Sequence, residues 1–272
     1  MIEPSRGAPA RPDHVDAARA MFLALLGVGA VWLLTAVVKG VPPEGFSLLL
    51  EAGFFAIPLL YARAVKLRPF EASGFARLGV RQAALVLLAS FGTMWLLHGL
   101  SVIEVRLFEW AGMGEEARRE IAQLDVQLRE LQEKGAALAV LLLVGAAPLC
   151  EEVLFRGLVF RGFARRFGFG ASLVLTTFFF TVLHQTRVQA PMMVLLGLYF
   201  GTLVWLTGSL WAGVIAHAAN NFAVLVVTQK YGSAAAAFRA PWWMYVLSAV
   251  VFAGAMVLLA IDRRERDRFQ TL

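Results

Sequence analysis

A single cysteine, Cys150, stands in a chain of 272 residues, so no disulfide can close within it and no cysteine-rich metal site can be built. Charge is scarce as well. Asp, Glu, Lys and Arg make up 16% of the residues, against about a quarter in ordinary soluble domains. There is no internal repeat, no low-complexity segment, no His-Glu-x-x-His zinc signature and no inverted repeat of the transporter kind. The first twenty residues are polar and contain proline. The apolar run that follows, Met21 to Val38, lacks a small-residue cleavage pattern. It reads as an uncleaved first span, not as a secretory signal.

What the chain has in abundance is apolar sequence: 59% of residues are hydrophobic, with a mean hydropathy of +0.69. Eight runs approach the ~20 residues that a bilayer requires, at roughly 20–39, 46–65, 82–103, 136–157, 171–187, 190–207, 209–228 and 242–262. The expected fold is therefore all-α: a polytopic transmembrane bundle of about eight spans. It reads as one helical domain over 21–262, between a polar N-terminal tail (1–20) and a basic C-terminal tail (263–272). Between the third and fourth runs, Ile121, Leu124, Leu128 and Leu131 recur at three- and four-residue spacing. That predicts an amphipathic helix near 115–134, docked on the membrane or solvated as a linker.

The net charge of +6 does not imply nucleic-acid binding, because the basic residues lie between apolar runs. Arg6, Arg11 and Arg19 precede the first run. Arg63, Lys66, Arg68, Arg77 and Arg81 separate the second and third. Arg161, Arg165 and Arg166 separate the fourth and fifth, and Arg263, Arg264, Arg266 and Arg268 follow the last. With eight spans all four groups share one side, which places both termini in the cytoplasm. The loop 104–134 then lies outside, with acidic residues outnumbering basic ones.

Against this background a few polar residues occupy costly positions. Glu151, Glu152 and Arg156 follow the apolar run Leu138–Leu149. His184 follows Val174–Leu183, and His217 and Asn221 lie within Trp211–Val227. On a helix Glu152 and Arg156 share a face and can pair. Glu151 is turned by ~100° and left available. Pro148 just ahead frees a backbone carbonyl and can kink the helix. His184 follows Phe180 at four residues. His217 and Asn221 are also four apart, and an imidazole beside a carboxamide suits an oxyanion, or an interhelical clamp. Gly197 and Gly201 give one helix a close-contact face. Cys150 reads as packing and not as a nucleophile. Glu51 lines the cavity or faces a partner helix, His98 reads as an interhelical hydrogen-bonding residue, and His14 lies in the polar tail.

Glu151-Glu152-x-x-x-Arg156, Phe180-x-x-x-His184 and His217-x-x-x-Asn221, in that order, resemble the type II CAAX prenyl endopeptidase family, also called CPBP or Abi. The motifs cover about a third of the chain. The resemblance implies an intramembrane endopeptidase with its catalytic core in 136–228. It implies that Glu151 and His184 activate a water, His217 and Asn221 stabilise the oxyanion, and Glu152 and Arg156 support them. The expected partners are the lipid bilayer and a membrane-anchored protein or peptide substrate. The preferred substrate is a C-terminal tail processed by a bacterial maturation or sorting protease of the cytoplasmic membrane. Trimming of prenylated CAAX tails, or a non-catalytic scaffold or bacteriocin-immunity role, are the alternatives. No cofactor is expected. Zn²⁺ held by Glu and His is the alternative, disfavoured because Asn is a poor zinc ligand.

Overall fold

The computed structural model describes residues 15–37, 43–64, 73–231 and 240–270. Arg6, Arg11, His14, Lys66 and Arg68 lie outside them. All regular structure among the described residues is helical. Helix α1 is Ala17–Val37, α2 Pro43–Ala64, α3 Val80–Trp110 and α4 Gly114–Lys134. A bent helical run of 48 residues, Ala136–Leu183, is α5. Then come α6 (Ala190–Thr207), α7 (Leu210–Tyr231) and α8 (Trp242–Gln270).

Six of these units are long and apolar enough to cross a membrane: α1, α3, α5, α6, α7 and α8. The described apolar stretch of α2 is shorter, Leu49–Tyr61. Large apolar side chains such as Trp32, Leu33, Phe91, Val174 and Val250 are more than half exposed on the outside of the bundle. A soluble monomer does not present apolar surface on that scale; for an integral membrane protein it is the lipid-facing side. Helix α3 runs on to Trp110 instead of stopping near 103, because nothing before the left-handed Gly112 (φ 77°) breaks it. The chain then turns directly into α4, where Arg118 ties back to Glu109 at 2.8 Å.

Two of the expected spans fall within α5. They are separated at Gly168, whose backbone (φ 72°, ψ −177°) is open to glycine and strained for other residues. The chain folds back there. Arg156 lies over the Phe180 ring at 4.3 Å, and Phe155 meets the same ring at 5.6 Å. In a straight helix residues 24 apart would be ~36 Å apart. Arg156 and Phe180 stand twelve residues before and after Gly168, and Glu152 and His184 sixteen before and after. The bend thus sets those two polar residues at one depth on facing arms. Helix α6 closes on the second arm where Gly197 and Gly201 face Thr177 and Leu173. A Cβ at these glycines would lie 2.8 Å and 2.4 Å from those side chains.

The ends of the bundle are cross-linked by polar contacts. At one end Ser209 Oγ donates to the Ala76 carbonyl (2.6 Å), Leu210 N–H to the Gly74 carbonyl (3.0 Å), and Arg81 pairs with Asp262 (3.1 Å). The start of α1 and the end of α8 gather here too, Asp16 against Gly162 and Arg266 on the Thr207 carbonyl. At the other end α4 reaches over the 184–189 turn. Glu116 pairs with Arg187 (3.2 Å) and Glu120 accepts from Val188 N–H (3.1 Å).

Candidate active site

The first arm of α5 is not a regular α-helix. Val140–Ala146 and Val153–Val159 are π-helical and flank the short α-helical stretch Ala147–Glu152. In the first of these segments the hydrogen bonds run five residues back, Ala147 N–H reaching the Leu142 carbonyl. Continued, that register would give the Leu143 carbonyl to residue 148. Residue 148 is proline and has no N–H. Asn221 Nδ2 of α7 donates to Leu143 O instead, at 2.9 Å. The proline and the asparagine, far apart in sequence, thus solve one problem: a carbonyl that would otherwise go unsatisfied in an apolar interior. Asn220 in turn donates to Asn221 Oδ1 (3.3 Å).

Glu152 is fully buried, and Arg156 is 1% exposed. Its Oε1 accepts from Arg156 Nη1 at 2.8 Å and lies 3.2 Å from His217 Nδ1. Arg156 spends a second N–H on the Gly197 carbonyl (3.2 Å). Its guanidinium lies over Phe180, with Phe200 further off at 5.6 Å. His217 stacks on Phe200 at 4.8 Å, the rings 18° from parallel. Space for the carboxylate comes from Gly213, four residues before His217, where a Cβ would stand 2.6 Å from Glu152 Oε2. Three helices therefore meet on this one buried ion pair.

His184 ends the second arm. Its Nδ1 lies 2.9 Å from the Phe180 carbonyl, and its ring rests on Phe180 at 4.7 Å. A carbonyl can only accept, so Nδ1 carries the proton and Nε2 is left with a lone pair in the neutral ring. Gln185 follows with φ 54°, the left-handed turn that stops the helix. Phe180 also touches His217, edge to face at 6.1 Å, and so joins both imidazoles and Arg156.

Glu151 makes no hydrogen bond to this cluster, although Arg156 lies within reach of its charge. It is buried, with Oε2 lacking a hydrogen-bond partner. Helix α2 packs against its segment. Glu51 of α2, itself holding an unpartnered Oε2, is within electrostatic reach. Cys150 packs beside them in the apolar cluster of Leu154, Phe155, Phe179 and Leu183. Among the described residues no three of His, Cys, Asp and Glu group together as metal ligands do. The donors, so grouped, do not fit a zinc site.

The six motif residues thus fall into a hydrogen-bonded trio (Glu152, Arg156, His217) and three others around it: His184 through Phe180, Asn221 at Leu143, and Glu151 on the adjacent face. Residues 133–223 match a family model described as Rce1-like: Type II CAAX prenyl endopeptidase Rce1-like. The Rce1-like segment starts at Glu133 and ends at Ala223, and it contains all six residues. It covers the first arm through most of α7; α1, α2, α3 and α8 lie outside it. The class of activity that this match supports is that of a membrane endopeptidase. No curated protein and no solved structure matches the chain.

Sequence reasoning missed three contributors. Gly213 had a signal, its four-residue spacing from His217. Phe200 and the Leu143 carbonyl had none, since both act across helices.

Proposed function

We propose that the protein hydrolyses a peptide bond within the membrane by a glutamate-type mechanism, with a membrane-anchored protein or peptide as substrate. The observation that carries this reading is the state of the two imidazoles. His184 and His217 are each held through Nδ1, on a carbonyl and a carboxylate. Each keeps Nε2 for chemistry, the arrangement of a positioned acid–base histidine.

In this mechanism Glu151, whose carboxylate has an oxygen without a protein partner, takes a proton from a water that His184 Nε2 helps to orient. The water oxygen bonds to the scissile carbonyl carbon, and the carbonyl electron pair moves onto its oxygen. The His217 ring, held through Nδ1 by Glu152, and the second Nδ2–H of Asn221 stabilise that negative charge. The C–N bond then breaks, and the proton held at Glu151 passes to the leaving amine. No covalent enzyme intermediate forms. A C-terminal tail processed at the bacterial cytoplasmic membrane is the preferred substrate. With Gly168 at one membrane surface, the ~22 Å rise of the second arm of α5, residues 169–183, against a ~30 Å hydrocarbon core supports a site at membrane depth.

The test is hydrolysis by the purified protein in detergent. Tail-bearing precursors that accumulate uncleaved in a deletion strain would serve as substrates, with prenylated CAAX peptides as the alternative. Cleavage by the wild type, and cleavage about a thousand-fold slower by Glu151→Gln, is expected. Precursor binding without cleavage would replace the reading with a scaffold role.

A further inference from the structure

At the opposite end of the bundle from His184 lies a cleft of about 340 Å³, lined by Phe160, Arg161, Ala164, Arg165, Trp205 and Arg263 among others. Three guanidiniums meet here, and the site just described uses none of them. Arg263 donates to the Trp205 carbonyl and lies over the Trp205 ring at 4.0 Å. Arg161 reaches the Gly208 carbonyl at 3.5 Å. Both thus face the C-terminal end of α6, where unpaired carbonyls concentrate negative charge. Arg263 also meets Asp267 at 3.5 Å. Arg161 and Arg165 have no ion-pair partner among the described residues. They stand one turn apart and repel each other. The rest of the wall is apolar: Phe160, Ala164, Val204 and the Trp205 ring.

We infer that this cleft binds an anionic phospholipid, its phosphate on Arg161 and Arg165 and the start of an acyl chain along Phe160, Ala164 and Trp205. Three observations carry the assignment. An anion relieves the Arg161–Arg165 repulsion that no ion pair among the described residues relieves. The position, at the ends of membrane-length helices, is headgroup depth, where basic clefts between helices hold acidic lipids. The apolar wall beside the guanidiniums favours a lipid over a free anion, which would leave that wall wet.

The experiment uses the full chain, purified in an uncharged detergent and titrated with short-chain phosphatidylglycerol, phosphatidylcholine or inorganic phosphate, with thermal unfolding and native mass spectrometry as readouts. Phosphatidylglycerol should be retained and should raise the unfolding temperature; the other two should not. Arg165→Gln, a change at an exposed residue, should weaken that binding about five-fold, the ratio for one arginine near an anionic surface. Ala164→Trp should weaken it by filling the wall. Equal effects of the two lipids, or wild-type binding by both variants, would overturn the assignment. So would inorganic phosphate alone reproducing the shift, which would mark a free-anion site.

Discussion

Glu151 and Glu152 are neighbours in the chain and opposites in their surroundings. The pocket of Glu152 is closed, with the residue at 0% exposure: its Oε1 is held by an arginine and an imidazole beside two aromatic rings, while its Oε2 sits in the space left by Gly213 without a hydrogen-bond partner. Neither oxygen of Glu151 is tied to a positive group by a hydrogen bond: Glu51 of α2, another glutamate with an unpartnered oxygen, lies within electrostatic reach, and Arg156 feels its charge only at a distance. A charge held as Glu152 is held is fixed in place and lends itself to architecture. A carboxylate without a positive partner in an apolar setting is costly to keep, and the proposed mechanism assigns Glu151 the use, as base, that would offset that cost.

The sharpest way to break that contrast is to remove each carboxylate's charge with little change of shape. Glu151→Gln should lower hydrolysis by about a thousand-fold, within the usual reach of a general base, and leave thermal unfolding of the purified protein near wild type. If Glu152→Gln instead shows that profile, the two roles are exchanged.

Next in size is the stability of the ion pair. Glu152→Ala strands a buried guanidinium and should cost about 3–5 kcal/mol, read as early unfolding in detergent and low protein level. Replacing both partners, Glu152→Leu with Arg156→Met, should recover most of that loss, because two buried charges leave together. A single variant as stable as wild type would contradict the closed, paired description.

A smaller effect tests the link between Pro148 and Asn221. Asn221→Ala leaves the Leu143 carbonyl unsatisfied and should cost about 1–2 kcal/mol. In a Pro148→Ala background residue 148 gains an N–H that can take the same carbonyl, so the cost of Asn221→Ala should fall by half or more. Additive effects in this cycle would mean that the two residues do not share that carbonyl.

Much of the frame was legible because it depends on runs and on four-residue spacings. Apolar runs located the helices. The spacing of Glu152 and Arg156 foretold their ion pair, and Gly197 and Gly201 foretold the close contact of α6. What escaped depends on helix phase and on contacts across helices. A π-helical segment adds a residue per turn and rotates everything beyond it. With one such segment on each side of Glu151-Glu152, no periodicity count could say which glutamate meets His217. The fold-back in α5 was legible only as a gap between two runs. Gly157, Gly162, Gly168 and Gly170 all lie in or near that gap, and only the backbone distinguishes Gly168, at φ 72°.

The smallest expected effect is none at all. Both imidazoles offer Nδ1 to the protein, which is also how zinc-bound histidines are steadied, so the histidines alone do not separate a metal mechanism from a glutamate one. The donors around them do. Glu152 is committed to Arg156 and His217, Asn221 gives its amide to Leu143, and among the described residues no third acidic, histidine or cysteine donor joins two others. Hydrolysis should therefore keep its rate after exhaustive chelation, measured alongside the metal content of the active protein. One equivalent of zinc, with activity lost on its removal and restored on its return, would overturn the metal-free mechanism. Glu151 would then be a ligand, or the base acting on a zinc-bound water. The contrast with Glu152 would survive in altered form, with one carboxylate serving the ion and the other holding the histidine.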